Sequence, residues 1–208
     1  MKEEREFLGL PLWQWVYGAM QESKIDQIVV AAFRPPLGMS EDDARWFKRK
    51  PVDAHQQTEE VIFEWLDSRG PGDHPFPDDK FLLLQCTSPY TTAVDINEMI
   101  NKLDTFESAV SVAPFKRFLW GFDGKPKNYN PTDRPMRQDL VKWGGEAVEN
   151  GAIYATHIKN LESSRCRVSG HIGLYTMKDA WELDTPEDWE AGKAIMSYKL
   201  REEAKLNG

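Results

Sequence analysis

The chain has 208 residues, of which 40% are hydrophobic and 29% charged, enough for one substantial core and ordinary for a soluble globular protein. Its formal net charge of -8 argues against a nucleic-acid coat, because binding to a phosphate backbone needs a basic surface. No apolar run approaches the roughly 20 residues of a membrane helix, and the start MKEEREF is too charged for a secretory signal. We therefore expect a cytoplasmic protein, not bound to nucleic acid or membrane, with one domain over 1–208.

The N-terminal part begins with a helical pattern followed by a strand pattern. Apolar residues at helical spacing predict a helix over about 11–23, where Pro11 occupies a favoured first-turn position. The apolar run IDQIVVAAF then predicts a strand over 25–33, closed by a Pro- and Gly-containing turn that cannot continue a sheet.

Two capping boxes follow this strand. Ser40 with Asp43 predicts a short helix that runs through Phe47, and Asp53 with Gln56 predicts the start of a longer helix. Together these patterns favour an α/β fold.

The stretch KFLLLQCTSPYTT at 80–92 has the strongest pattern in the chain. The run at 81–84 is apolar without a break, as in a central strand covered on both faces, and Thr92 with Asp95 opens the next helix. Open α/β sheets bind their ligands where such a strand ends and turns into a helix. Gln85 is therefore a site candidate. The alternative is that Gln85 only ends the strand and bonds to neighbouring loop backbone.

The second half continues to alternate helices and strands, with one interruption. The predicted elements are a helix to about 103, strands at 108–113, 150–154 and 171–177, a helix at 157–163 and a final helix to about 205. The interruption at 114–145 mixes aromatic residues with Gly, Pro and basic residues and has no helical period. We expect an excursion of hairpins or long loop that covers a site or pairs with a second subunit; a solvated loop is the alternative.

An acidic segment precedes the final helix. Thr185 as cap, Pro186 at the first helical position and Asp188 three residues after the cap mark the start of that helix. Glu182 and Asp184 alternate in the extended segment before it, so both carboxylates are expected to face the same way. They could hold Mg²⁺ on a polyphosphate, or equally could only favour the helix N-terminus electrostatically.

Three motifs occur in a fixed order: LLLQCTSPYTT at 82–92, ENGAIYA at 149–155 and WELDTPEDWE at 181–190. Together they resemble the acylneuraminate cytidylyltransferases (CMP-sialic acid synthetases), and the likeness extends over nearly the whole chain. Lys50 and Pro51 stand where that family usually has Arg-Pro.

The resemblance implies a Rossmann-like, mostly parallel sheet flanked by helices, of the nucleotidyltransferase type. It implies an enzyme in which the hydroxyl of an acidic nine-carbon sugar attacks the α-phosphate of CTP and pyrophosphate is released, with Mg²⁺ as cofactor. It also implies a homodimer formed through the excursion at 114–145.

The resemblance also assigns roles to individual residues. Gln85, Asn150, Tyr154 and Arg137 would contact the sugar, Lys50, Thr87 and Ser88 the nucleotide, and Glu182 and Asp184 would carry catalysis and hold the metal.

One part of the family pattern has no counterpart in these residues. In the family, a first strand and a Gly-rich basic loop that wraps the triphosphate come before everything seen here. The alternative function is therefore a catalytically silent relative that binds a sugar or a partner, or serves as a structural subunit. We expect the N-terminal residues, a partner chain or a rearranged strand to fill the gap beside strands 26–33 and 81–85. The alternative is that these two strands pair directly.

Overall fold

The computed structural model describes residues 2–50, 57–140, 146–179 and 181–206, and these contain five helices and eight strands. The helices are α1 (Leu12–Gln21), α2 (Thr58–Asp67), α3 (Ala93–Lys102), α4 (Ile158–Ser164) and α5 (Pro186–Leu206). The strands are β1 (Glu6–Phe7), β2 (Leu10–Pro11), β3 (Val30–Ala32), β4 (Trp46–Lys48), β5 (Lys80–Leu84), β6 (Ser108–Phe115), β7 (Glu146–His157) and β8 (Ile172–Thr176). No helix in these ranges is both long and apolar enough to cross a membrane.

The main sheet has four strands in the order β5-β7-β6-β8. β7 runs antiparallel to both β5 and β6, whereas β6 and β8 are parallel. β3 and β4 form a separate parallel pair, and β1 with β2 forms a short antiparallel hairpin. The predicted α/β fold is confirmed, with a mixed sheet.

Helices cover both faces of β5, as its unbroken apolar run predicts. Leu82 and Leu84 pack against the cluster that contains Ile96 and Met99 of α3, together with residues of α1. Phe81 and Leu83 pack on the other side, against α2 and α4. Because successive side chains of a strand point to opposite faces, this alternation places β5 between two layers of helices.

Two helix starts agree with the capping patterns in the sequence. Thr92 and Asp95 form the complete capping box of α3, in which each side chain bonds to the backbone of the other residue. At the start of α5, the Asp188 N–H donates to Thr185 Oγ1 over 3.2 Å, and the Thr185 N–H donates to Asp188 Oδ2 over 2.8 Å. These bonds satisfy amide groups that a helix N-terminus otherwise leaves without partners.

The short helix predicted from Ser40 is wrong. The Asp43 N–H bonds to the Ser40 carbonyl in a turn, and Trp46–Lys48 then pairs with β3 as a strand. A strand forms here instead of a helix because the turn places Trp46–Lys48 beside the edge of β3, where its backbone groups can pair with those of Val30–Ala32. The capping box predicted at Asp53 and Gln56 lies outside the described residues. The longer helix predicted to follow it is present as α2.

The excursion after β6 consists mainly of turns, as predicted. Isolated bridges join Trp120 to Pro126 and Asn130 to Asp133, and a single 3-10 turn covers Arg137–Asp139. Aromatic contacts stabilise its first half, since the rings of Phe118 and Tyr129 lie 4.5 Å apart. Residues 141–145 lie outside the described part of the chain.

The sheet does not close across the gap between β3 and β5. β3 pairs with β4 and β5 pairs with β7, so the direct pairing of 26–33 with 81–85 is wrong. A cavity of about 840 Å³ lies between the two strands instead. The described N-terminal residues, 2–11, do not fill it as a strand, because Glu6–Phe7 forms a hairpin with Leu10–Pro11, and Glu3 and Glu4 are the residues of this range that line the cavity.

Candidate functional site

The turn that follows β5 is fixed by backbone hydrogen bonds. The Gln85 N–H donates to the Ala152 carbonyl of β7 over 3.0 Å, and the Ser88 N–H donates to the Gln85 carbonyl over 3.2 Å. The Thr91 hydroxyl closes the turn by donating to the Ser88 carbonyl over 2.9 Å. This geometry holds the Gln85 side chain at the end of the strand, on the wall of the large cavity.

The acidic segment is attached to this turn through Leu183. The Leu183 N–H donates to the Thr87 carbonyl over 2.9 Å, and its side chain is fully buried against Phe7 and Trp189. The flanking Glu182 and Asp184 are exposed. One buried anchor thus presents two carboxylates beside the end of β5, as the alternation in the sequence predicts.

The two carboxylates have different partners. Asp184 Oδ1 accepts from the Lys2 ammonium over 2.7 Å, and Glu182 Oε1 accepts a long hydrogen bond of 3.5 Å from the Thr87 hydroxyl. Although the residue is largely exposed, partial desolvation of its carboxyl by the surrounding protein, reinforced by the negative charge of Asp184, raises the pKa of Glu182 above its ordinary value. A cation bound between Glu182 and Asp184 would favour the charged carboxylate and so lower the pKa of Glu182.

The donor set fits Mg²⁺ held jointly with a polyphosphate. Mg²⁺ is usually bound by one or two carboxylates together with water and substrate phosphates. In the described ranges, no group of three or more His, Cys, Asp and Glu side chains is placed to hold a metal. The pair of Glu182 and Asp184 therefore fits a metal brought with its substrate better than a metal held by protein alone.

Gly151 of β7 allows the Glu182 carboxylate to lie close to the β7 backbone. Its backbone has a φ of +66°, and the register of β6 against β7 shifts between Val110 and Val112 at this level. A Cβ at position 151 would stand 2.9 Å from Glu182 Oε1. Glycine is favoured at this position because it adopts the left-handed backbone without strain and leaves room for the Glu182 carboxylate.

Asn150 is held by an internal polar cluster. Its Oδ1 accepts from the Ser111 hydroxyl over 2.6 Å and from the Ala152 N–H over 3.2 Å. The same Ser111 oxygen accepts from the Ile153 N–H over 2.8 Å. This cluster supports the irregular β7 backbone next to Gly151, and the role of Asn150 toward a sugar remains a prediction.

Tyr154 belongs to a second polar group. Its hydroxyl donates to Glu149 Oε2 over 3.0 Å, and the Arg167 guanidinium lies 4.5 Å from the centre of its ring. Arg167 also pairs with Glu59 of α2. Burial raises the pKa of the Tyr154 phenol, so the group stays a neutral hydrogen-bonding side chain.

The other residues assigned by resemblance lie in different places. Thr87 and Ser88 are in the turn after β5, where the Ser88 hydroxyl is buried without a hydrogen-bond partner among the described residues. Lys50 pairs with Glu64 of α2 over 2.8 Å, and its side chain is 76% exposed. Arg137 is exposed in the 3-10 turn, and no hydrogen bond or ion pair joins it to the carboxylates within the described ranges.

The structure therefore brings Gln85, Thr87, Ser88, Glu182 and Asp184 together and leaves Lys50 and Arg137 apart from them. Sequence reasoning missed Lys2, Ser111, Gly151 and Arg167. Gly151 stands within the motif ENGAIYA, so the motif was a usable signal for it. No sequence motif indicates Lys2, Ser111 or Arg167, because each contacts residues that are distant from it in the sequence.

Sequence comparison finds two curated relatives that are both named as cytidylyltransferases. N-acylneuraminate cytidylyltransferase B of Danio rerio is 29% identical over 205 residues, which cover 91% of this chain and 46% of that protein. N-acylneuraminate cytidylyltransferase A of the same organism is 31% identical over 117 residues, which cover 51% of this chain and 26% of that protein. This chain is similar in sequence to these two N-acylneuraminate cytidylyltransferases. It spans less than half the length of these two relatives.

The fold is confirmed by solved structures. The structure of CMP:2-keto-3-deoxy-manno-octonic acid synthetase complexed with CTP superposes with a TM-score of 0.62 at 13% identity, covering 95% of this chain and 92% of that one. At this identity the likeness shows the fold, which is that of a solved cytidylyltransferase. No protein-family model matches the chain.

Proposed function

We propose that this chain carries the catalytic core of a cytidylyltransferase that activates an acidic nine-carbon sugar of the acylneuraminate type with CTP. The observation that carries the proposal is the attachment of Glu182 and Asp184, through Leu183, to the turn that ends β5. The names of the sequence relatives support both the reaction class and the substrates.

The proposed reaction transfers a cytidylyl group. The sugar hydroxyl attacks the α-phosphorus of CTP, a new oxygen–phosphorus bond forms, the bond to the β-phosphate breaks, pyrophosphate leaves and the hydroxyl proton passes to solvent. Glu182 and Asp184 would hold Mg²⁺, which when bound neutralises charge on the phosphates. Thr87 orients the Glu182 carboxylate, and Leu183 fixes both carboxylates relative to β5.

Substrate contacts are proposed for the remaining residues. Gln85 is available at the end of β5, and Ser88 has a buried hydroxyl that needs a partner. Asn150 and Tyr154 would meet the sugar from β7, with their polar groups already oriented by Ser111 and Glu149. Lys50 is proposed to contact the nucleotide and Arg137 the sugar, although no hydrogen bond or ion pair among the described residues joins either side chain to Glu182 or Asp184.

A cytoplasmic homodimer is the proposed assembly. The excursion exposes large apolar side chains at Trp120, Phe122 and Met136, which suits a contact with a second copy. Sedimentation of the purified chain tests this assembly: a monomer at every concentration would contradict it.

The activity is tested by pyrophosphate release. The chain is incubated with CTP, Mg²⁺ and a panel of nine-carbon ulosonic acids, and we expect release with at least one acid. Asp184→Asn should reduce that release at least about 100-fold, because one metal ligand is lost. Glu187→Gln removes a nearby carboxylate of α5 and is the matched control. A folded wild-type chain that releases no pyrophosphate with any acid would overturn the activity in favour of a silent relative.

A further inference from the structure

Asn150 has a side chain whose hydrogen-bonding groups are mostly used inside the protein. The residue is 9% exposed, and its Oδ1 accepts from both the Ser111 hydroxyl and the Ala152 N–H. Its amide nitrogen donates to the Met177 sulfur over 3.0 Å. A side-chain carbonyl oxygen has two lone pairs, so Asn150 Oδ1 has no acceptor capacity left for a substrate.

The bond to Ala152 forms a turn around Gly151. An Asn side chain that accepts from the N–H two residues further along the chain mimics a backbone turn. This bond spans Gly151, whose φ of +66° lies in the left-handed region. Exchange of the Asn150 oxygen and nitrogen would place two N–H donors against each other at Ala152, so the orientation of the amide is also fixed. Asn150 therefore holds the backbone of residues 150–152 in one conformation.

The same turn contacts two parts of the candidate site. On one side, a Cβ at Gly151 would stand 2.9 Å from Glu182 Oε1, so the backbone lies directly against this carboxylate. On the other side, the Ala152 carbonyl accepts from the Gln85 N–H over 3.0 Å and holds the turn after β5. A change in the conformation of residues 150–152 would move both contacts together.

Neighbouring strands hold Asn150 in place. Ser111, which donates to its Oδ1, stands in β6 where the register against β7 shifts between Val110 and Val112. Met177, which accepts from its amide nitrogen, directly follows β8, and the Met177 N–H donates to the Val112 carbonyl over 3.0 Å. The turn in β7 is therefore supported by contacts from β6 and from the end of β8.

We propose that Asn150 is a positioning residue of the candidate site that acts through the backbone of Gly151 and Ala152. By holding this turn, it sets the places of the Glu182 carboxylate and of Gln85. The roles of these two side chains toward metal and sugar rest on the proposed function. Positioning is distinct from the sugar contact proposed for Asn150, because it uses the Oδ1 acceptor, whereas a sugar could meet only the amide N–H.

Substitutions at position 150 separate the two roles. Asn150→Ala removes both the Oδ1 acceptor and the amide N–H. Asn150→Asp removes the amide N–H but keeps an oxygen that accepts from Ala152 and Ser111. Leu161→Ala controls for a general loss of stability, because Leu161 is fully buried in a different cluster, among side chains of α2 and β5.

Amide hydrogen exchange by NMR reports on the turn without any ligand. In Asn150→Ala, we expect the amides of Ala152 and Gln85 to exchange at least about 10-fold faster, measured relative to Phe81 in the same β5–β7 ladder, because both amides depend on the turn. Asn150→Asp should keep their protection. Leu161→Ala should not raise the exchange of Ala152 and Gln85 above that of Phe81.

Binding of Mn²⁺, used in place of Mg²⁺, reports on the carboxylates. Electron paramagnetic resonance measures free Mn²⁺ in the presence of CTP. Asn150→Ala should weaken CTP-dependent Mn²⁺ binding at least about 10-fold, as loss of a group that orients a metal ligand does, and Leu161→Ala should retain it. If Asn150→Ala does not fold, Asn150→Ser takes its place with at least about a 3-fold effect on both readouts, because serine forms such turns more weakly.

Three results would overturn the proposal. The amides of Ala152 and Gln85 could exchange at the wild-type rate in Asn150→Ala. They could accelerate equally in Asn150→Asp, which would assign the turn to the amide N–H. They could accelerate while Mn²⁺ binding stays unchanged, which would show that the turn does not place Glu182. A wild-type chain that binds no Mn²⁺ with CTP would instead contradict the proposed function, and the amide rates would then decide the positioning role by themselves.

Discussion

Gly151 and Glu182 approach so closely that no other residue fits at position 151 without displacing the carboxylate: a Cβ there would stand 2.9 Å from Glu182 Oε1. Gly151→Ala should lower the free energy of unfolding by about 1–2 kcal/mol, because the backbone at φ +66° is left-handed. It should also weaken Mg²⁺-dependent CTP binding. Urea unfolding and calorimetry measure the two effects.

Gly9→Ala is the matched control for this substitution. Gly9 also has a positive φ, of +88°, but a Cβ there would meet no atom within 4 Å. It should therefore lose comparable stability and keep CTP binding. Equal loss of CTP binding in both variants would contradict the proposed role of the Gly151 and Glu182 contact.

Ser111 joins β6 to the irregular part of β7. Ser111→Ala would leave the Ile153 N–H and one acceptor site of Asn150 unsatisfied in a buried place, so we expect a loss of about 1–3 kcal/mol in the free energy of unfolding. Ser163→Ala removes an exposed hydroxyl of α4 and should change stability by less than about 0.5 kcal/mol. Urea unfolding compares the two; equal effects would contradict the internal role of Ser111.

Leu183 anchors the acidic segment in the core. Leu183→Ala should cost about 2–5 kcal/mol, as truncation of a fully buried leucine does, and should release both carboxylates from the turn after β5. Leu200→Ala on α5, where the side chain is 43% exposed, should change stability little. Retention of full CTP affinity by a folded Leu183→Ala protein would show that the anchor does not position the site.

The raised pKa of Glu182 makes stability depend on pH in a defined direction. The folded state binds a proton at Glu182 more tightly than the unfolded state, so stability is lost as pH rises from the ordinary carboxyl range through the raised pKa. Glu182→Gln has no ionisable carboxyl at this position, so it should not show this loss of stability as pH rises. Its thermal midpoint should match that of the wild type below about pH 4 and exceed it at neutral pH.

Mg²⁺ added together with CTP should narrow this difference in thermal midpoint between the two proteins, because a bound cation favours the charged carboxylate of Glu182. Differential scanning calorimetry between about pH 3.5 and 8 measures the midpoints, and Glu187→Gln controls for the removal of a nearby charge. If the thermal midpoints of the wild type and Glu182→Gln differ by the same amount at both ends of the pH range, ionisation of Glu182 is not the cause of the pH-dependent stability.

Local patterns in the sequence were sufficient for much of the fold. The capping box of Thr92 and Asp95 and the cap at Thr185 predict the starts of α3 and α5, because both depend on residues three positions apart. The unbroken run of β5 predicts its cover on two faces. The alternation about Leu183 predicts that both flanking carboxylates face the same way, and in the structure both are exposed beside a buried Leu183.

Long-range pairings could not be predicted in the same way. The strand at Trp46 depends on the free edge of β3, which overrides the helical capping signal of Ser40 and Asp43. The contact of Lys2 with Asp184 joins residues 182 positions apart. The pair of Arg167 and Glu59 likewise joins two elements that only the folded chain brings together.

The central claim is that Glu182 and Asp184 form a nucleotide-dependent metal site at the end of β5, and calorimetric titration of the chain with CTP tests it most directly. We predict micromolar binding that requires Mg²⁺, weakened at least about 10-fold by Glu182→Gln and by Asp184→Asn, as loss of a metal ligand implies, and retained by Glu187→Gln. Mg²⁺-independent binding, or binding unchanged in both carboxylate variants, would contradict it.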